Sequence, residues 1–80
     1  MKIEIKVPQQ GLTVDYVTLL QWKVVSGQSV KKSMPVAEIE SEKATLDVES
    51  PADGVVSEII AKPGEELVIG QLMGYVETEA

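Results

Sequence analysis

The chain repeats itself, and the repeat restricts its fold more than any single motif does. A shift of 37 residues places Gly27 on Gly64, Val30 on Leu67, Ile39 on Val76, and Glu40-Ser41-Glu42 on Glu77-Thr78-Glu79. A second match, Pro8-Gln9-Gln10-Gly11 on Pro51-Ala52-Asp53-Gly54, needs a shift of 43, so the first half carries about six extra residues between Gly11 and Gly27. Halves this small cannot bury a hydrophobic face alone. They are expected to pack as two four-strand units about a pseudo-two-fold axis.

The repeated structure is β. Of 24 Val, Ile and Leu residues, 18 are the β-branched Val and Ile, and no long stretch returns its apolar residues at helical spacing. Polarity alternates from Lys2 to Val7, and Pro8 ends that strand because it cannot donate to a ladder. Further strands are expected over 18–25, 30–31, 36–41, 45–49, 55–62, 67–68 and 72–78, with turns at the Gly, Pro, Ser and Asp clusters between them. Leu19, Leu20, Trp22, Val24 and Val25 do not alternate cleanly, which points to a bulge or to burial on both faces. Trp22, Met34 and Met73 read as core residues. The fold class is all-β: a flattened barrel or sandwich of two four-stranded antiparallel sheets.

Symmetry also locates the candidate site. Glu40-Ser41-Glu42-Lys43 joins the two halves and corresponds to Glu77-Thr78-Glu79-Ala80. The Lys43 hairpin and the termini are therefore expected at opposite ends. The extra residues after Gly11, roughly Leu12 to Val17, are expected beside Lys43.

Composition narrows what such a site does. Eighty residues make one domain, 1–80, with no room for a catalytic domain beside it. The chain has no Cys and no His, which removes disulfides, zinc-thiolate sites, thiol nucleophiles and histidine-based triads. The formal net charge is −6, the seven basic residues are all lysine, and there are three aromatic residues. This argues against nucleic acid and anionic membranes as partners. No apolar run is long enough for a membrane helix, and a soluble protein is expected. Glu38, Glu40 and Glu42 would share a face on a regular strand and read as a solvated face.

With these residues in place, the sequence resembles the lipoyl domains of 2-oxo acid dehydrogenase complexes. The resemblance rests on Val7-Pro8-Gln9-Gln10-Gly11-Leu12-Thr13, on Glu40-Ser41-Glu42-Lys43-Ala44-Thr45, and on Ser50-Pro51-Ala52-Asp53-Gly54-Val55-Val56, and it covers essentially the whole chain. It implies that Lys43 carries lipoic acid in amide linkage. The arm then shuttles acyl groups and reducing equivalents among a 2-oxo acid dehydrogenase, an acyltransferase and a dihydrolipoyl dehydrogenase. It implies a non-catalytic carrier, monomeric as an isolated domain, in the cytoplasm or the mitochondrial matrix. Recognition is placed at Glu40, Glu42 and Ala44 around the lysine and at Leu12, Val14 and Tyr16 in the extra loop. Two departures stand out: Glu42 replaces the more usual Asp before the lysine, and Tyr16-Val17 replaces an acidic residue followed by Gly.

A lysine here is not a nucleophile of its own. An unperturbed lysine titrates near ~10.4, so about one in a few thousand is neutral near pH 7. An enzyme that acylates it must deprotonate it in its own site, which calls for a lysine standing clear on a tight turn, such as a type I turn centred on Glu42-Lys43. Two alternatives remain. Biotinyl carriers share the hairpin lysine but usually flank it with Met, where this chain has Glu42 and Ala44. An unmodified interaction module would leave Lys43 merely exposed.

Overall fold

Strand β1 (Lys2–Lys6) turns Ile5 into the interior and exposes Lys2, Glu4 and Lys6, as alternation requires. Seven strands follow it in this computed structural model, which describes residues 1–9, 15–42 and 44–78. They are β2 (Tyr16–Trp22), β3 (Ser29–Val30), β4 (Pro35–Glu40), β5 (Thr45–Glu49), β6 (Gly54–Ile59), β7 (Glu66–Val68) and β8 (Leu72–Glu77). One sheet has the order β1-β8-β6-β3 and the other β5-β4-β2-β7. Each sheet takes two strands from each half of the sequence, so the halves interlock instead of packing as two finished units.

The two-fold repeat extends to individual hydrogen bonds. It carries β1, β8, β6 and β3 onto β5, β4, β2 and β7, which converts one sheet order into the other. The registers slip between Leu19 and Gln21 in one sheet and between Val56 and Glu58 in the other, positions 37 apart. That slip is the bulge expected from the broken alternation of the second strand. Across the axis Gly27 N–H donates to Val56 O and Gly64 N–H to Leu19 O, both at 2.7 Å. The shift of 43 holds too: Ser50 N–H donates to Met34 O (2.8 Å) as Val7 N–H does to Gln71 O (3.0 Å).

Between the sheets lies one core, to which both halves contribute equivalent residues. Leu19 and Val56, Ile39 and Val76, and Val36 and Met73 are all essentially inaccessible. Met73 is thus the counterpart of Val36, while Met34 is half-buried and equivalent to Gln71. Trp22 packs against this cluster, and its Nε1 donates to Ala61 O at 2.8 Å. A buried indole N–H needs such a partner.

Several strand ends differ from expectation. The second strand starts at Tyr16 and stops at Trp22. Beyond it, Gln28 N–H donates to Val25 O at 3.1 Å, closing a turn. The sixth stops at Ile59 because Ile60 and Ala61 both donate to Met73 O, at 2.9 and 3.0 Å. Two donors on one acceptor break the one-to-one ladder.

Candidate functional site: the turn between β4 and β5

The β4–β5 ladder runs to the pair Glu40 and Thr45, and the next pair closes the hairpin. Ser41 N–H donates to Ala44 O at 2.8 Å. The Ser41 hydroxyl donates to the same carbonyl (3.1 Å) and accepts from Ala44 N–H (3.2 Å). Serine suits this position because its side chain meets backbone groups that a two-residue connection leaves short of partners. Glu42 and Lys43 form that connection. Glu42 and Ala44 are exposed, as is Glu40. Lys43 itself lies outside the described residues, and so does the type I turn expected around it.

The first residues of β2 lie next to this turn. Thr18 pairs with Glu40, and a groove of about 450 Å³ is lined by residues 15–18 on one side and 40–42 on the other. Of the loop expected over Leu12 to Val17, Asp15 lies beside the hairpin, while Tyr16 and Val17, which also lie there, belong to strand β2 and not to a loop, because they pair with Val68 and Leu67. Leu12 and Val14 lie outside the described residues. The register also separates the poles. At one end Lys2 pairs with Glu77 and Thr78 N–H donates to Met1 O, and from there β1 and β8 run toward Val7 and Gln71. Ile69 N–H donates to Asp15 O at 3.3 Å beyond them, on the side of the β4–β5 turn.

Carboxylates dominate this end. Asp15, Glu40, Glu42 and Glu66 are all exposed. Glu38 is half-buried, and its Oε1 accepts from Gln21 Nε2 at 3.1 Å. Because β4 ends at Glu40, Glu42 belongs to the turn and leaves the face it was expected to share with Glu38 and Glu40. Among the described residues no group of carboxylates is arranged to hold a metal ion.

Tyr16 stands at the edge of the groove and pairs with Val68 across β2 and β7. Nothing local in the sequence marks Val68, one residue of a short strand. Its signal is the contrast with Lys31, its counterpart 37 residues earlier.

Residues 3–76 match the Biotin_lipoyl family, described as biotin-requiring enzyme. The chain is 39% identical over 80 residues to a dihydrolipoyllysine-residue succinyltransferase component of the 2-oxoglutarate dehydrogenase complex from Bartonella vinsonii subsp. berkhoffii. That match covers 100% of this chain and 20% of the relative. Over 76 residues it is 32% identical to a lipoamide acyltransferase component of the branched-chain alpha-keto acid dehydrogenase complex from Bacillus subtilis, with 95% and 18% covered. The chain thus spans about a fifth of the length of these relatives. In structure it resembles the lipoyl domain of the 2-oxoglutarate dehydrogenase complex from Azotobacter vinelandii, with a TM-score of 0.76, 29% identity, and 98% and 99% of the two chains covered.

Proposed function

The chain belongs to the biotin/lipoyl family, and we propose that it is a lipoyl carrier domain whose Lys43 bears lipoic acid in amide linkage. The observation that carries this reading is the Ser41–Ala44 clamp. It pins both ends of the Glu42-Lys43 connection while leaving Glu42 and Ala44 in solvent. Acylation by another enzyme calls for a lysine on a turn that a second protein can enclose, and the described residues on either side of Lys43 are held by the clamp and open to solvent. When attached, the group supplies a redox-active disulfide able to carry an acyl group and reducing equivalents.

The domain's own residues present and steer. Interlocked sheets and one shared core anchor the strands at the base of the hairpin. The carboxylates of Asp15, Glu40, Glu42 and Glu66 make the tip acidic and favour approach by basic protein surfaces. The partners are a lipoylating enzyme and, in a larger assembly, the 2-oxo acid dehydrogenase, acyltransferase and dihydrolipoyl dehydrogenase components that the arm visits. Residues 1–80 act as one carrier unit without catalysis of its own. Among the described residues no helix is long and apolar enough to cross a membrane.

Intact mass after expression in a lipoylation-competent host tests the reading. Wild type gains a lipoyl increment and Lys43→Arg gains none. A biotinyl increment, or an unmodified wild type, sinks it. Amide formation removes one positive charge, taking the formal net charge from −6 to −7, so the modified form migrates faster toward the anode in a native gel.

A further inference from the structure

The chain has no Asn, and of its three aspartates Asp15 precedes Tyr16, Asp47 precedes Val48 and Asp53 precedes Gly54. Only Asp53 is followed by a residue with no Cβ to hinder approach of its backbone nitrogen to the aspartate side chain. That approach opens a rearrangement of the main chain. The Gly54 nitrogen attacks Asp53 Cγ, an N–Cγ bond forms, a Cγ–O bond breaks and one water leaves, closing a five-membered succinimide. Water then adds to either ring carbonyl. Breaking the N–Cγ bond restores aspartate, whereas breaking the original peptide bond leaves isoaspartate, with the backbone rerouted through Cγ. Water is the only co-reactant.

The fold cannot discard the glycine that makes this step easy. Gly54 begins β6, which lies between β8 and β3, and a Cβ there would collide with Glu77 O and Val76 Cγ1. Its φ is not positive, so the requirement is the close approach of β8 and not a turn.

Two restraints oppose the attack. Asp53 is exposed, but its Oδ1 accepts the Lys32 N–H at 2.6 Å, which ties the carboxylate to the turn over 31–34. Gly54 pairs with Val30. Val56 N–H donates to Gln28 O at 2.9 Å, and alternation along an antiparallel ladder makes Val30 and Gly54 hydrogen-bonded partners. The ladder is the weaker restraint, because β3 is an edge strand of two residues and such margins open locally at small cost. The carboxylate tether therefore carries most of the protection.

We infer that Asp53-Gly54 is the site at which this domain forms succinimide and isoaspartate, and that the Lys32 N–H bond to Asp53 keeps it closed in the folded state. Isomerisation adds a methylene to the main chain where β6 begins and leaves the carboxylate directly on Cα, too short a branch to reach Lys32 as before. The altered chain cannot remake both the Val30 pairing and the tether, so opening is recorded irreversibly. The change falls beside Glu77, at the pole of Met1 and Thr78 and away from the β4–β5 turn.

Turn geometry supplies the test. Met34 N–H donates to Lys31 O at 3.0 Å and Ser33, third in that turn, has φ of 72°, the pattern of a type II turn, whose second position favours proline. Lys32→Pro therefore removes the donor and keeps the turn. Asp53→Asn retains an oxygen for Lys32 and closes the same ring with loss of ammonia, faster than aspartate does, so it is the timed reporter. Asp53→Asn, Asp53→Asn/Lys32→Pro and Asp53→Asn/Trp22→Phe, the last destabilised away from position 53, are incubated folded in buffer and unfolded in guanidinium chloride. Deamidation is followed by mass and located by peptide mapping. Folded Asp53→Asn is expected to react at least tenfold slower than its unfolded form. Lys32→Pro is expected to raise the folded rate at least threefold and leave the unfolded rate unchanged, while Trp22→Phe leaves both unchanged. In wild type aged in guanidinium chloride, endoproteinase Asp-N, which does not cut before isoaspartate, is expected to lose its cut at position 53 before those at 15 and 47. Isoaspartate forming first at Asp15 or Asp47 overturns the site. A folded rate within twofold of the unfolded one, or an equal rise with Trp22→Phe, overturns the tether. Should circular dichroism show the Lys32→Pro variant unfolded, amide exchange in folded Asp53→Asn decides: a protected Lys32 N–H is expected, and one exchanging as in the unfolded chain overturns the tether.

Discussion

Ser33 and Gly70 occupy the same place in the two halves, with φ of 72° and 86°, yet only one of them is glycine. Each precedes a long strand and donates its N–H across the barrel, Ser33 to Ser50 O at 2.9 Å and Gly70 to Val7 O at 3.0 Å. A left-handed backbone costs a residue with a Cβ roughly 1 kcal/mol more than glycine. Gly70→Ser is therefore expected to lower stability by about 1 kcal/mol, seen as a drop in Tm of about 4–8 °C for a domain of this size. Ser33→Gly is expected to gain a few tenths of a kcal/mol, the unfolded chain taking back part of the relief.

Trp22 makes a contact that the repeat does not copy, since its counterpart is Ile59. Trp22→Phe keeps most of the apolar area and leaves Ala61 O without the 2.8 Å bond from the indole. The expected loss is about 1–2 kcal/mol in urea unfolding, with an unchanged m-value because the surface exposed on unfolding stays similar.

At the tip, Ser41→Ala removes the hydroxyl that clamps Ala44. Thr78→Ala does the same at the other pole, where Thr78 Oγ1 donates to Met1 O at 3.2 Å. Both are expected to cost roughly 0.5–1 kcal/mol. Only Ser41→Ala is expected to slow lipoylation of Lys43, so equal modification rates in the two variants would show that the clamp does not orient the lysine.

Lys43→Ala is expected to leave stability within about 0.5 kcal/mol of wild type while abolishing the mass increment, as for a surface residue outside the core. A loss well above ~1 kcal/mol in thermal unfolding would place the lysine side chain in packing contacts.

Glu40→Gln and Glu42→Gln each remove one carboxylate next to Lys43 without changing shape. The expected outcome is a several-fold lower rate of lipoylation for at least one of them, steepest at low ionic strength, where unscreened charge steers most. Identical initial rates for both variants and wild type would remove these carboxylates from recognition.

Much of this architecture was legible because the repeat is written in residues with strong local meaning. Gly27 and Gly64 have φ of 93° and 87°, so their 37-residue spacing reported two equal turns. The change of offset put Leu12 to Val17 beside the β4–β5 turn; Asp15 lies there, and Tyr16 and Val17 lie there as the start of β2, not as loop residues. What escaped notice depends on pairing across the sheets. Nothing local marks Ser33 as left-handed, since serine is an ordinary turn residue. Val68 reads as one more strand residue until its partner is known to be Tyr16. The interlocking of the halves follows from which ladders close, and a repeat in sequence is compatible with either arrangement.

Two of the bonds between Thr78 and Met1 match those between Ser41 and Ala44: the 2.9 Å bond from Thr78 N–H to Met1 O matches the 2.8 Å bond from Ser41 N–H to Ala44 O, and each hydroxyl donates to the same carbonyl. The backbone is thus nearly a closed circuit with one nick, and packing treats the nicked pole and the looped pole alike. A circular permutant that joins Thr78 to Met1 through two residues and opens between Glu42 and Lys43 keeps every strand and both sheets. If the new link reads Glu-Lys, the attachment point moves to the opposite end of the same barrel.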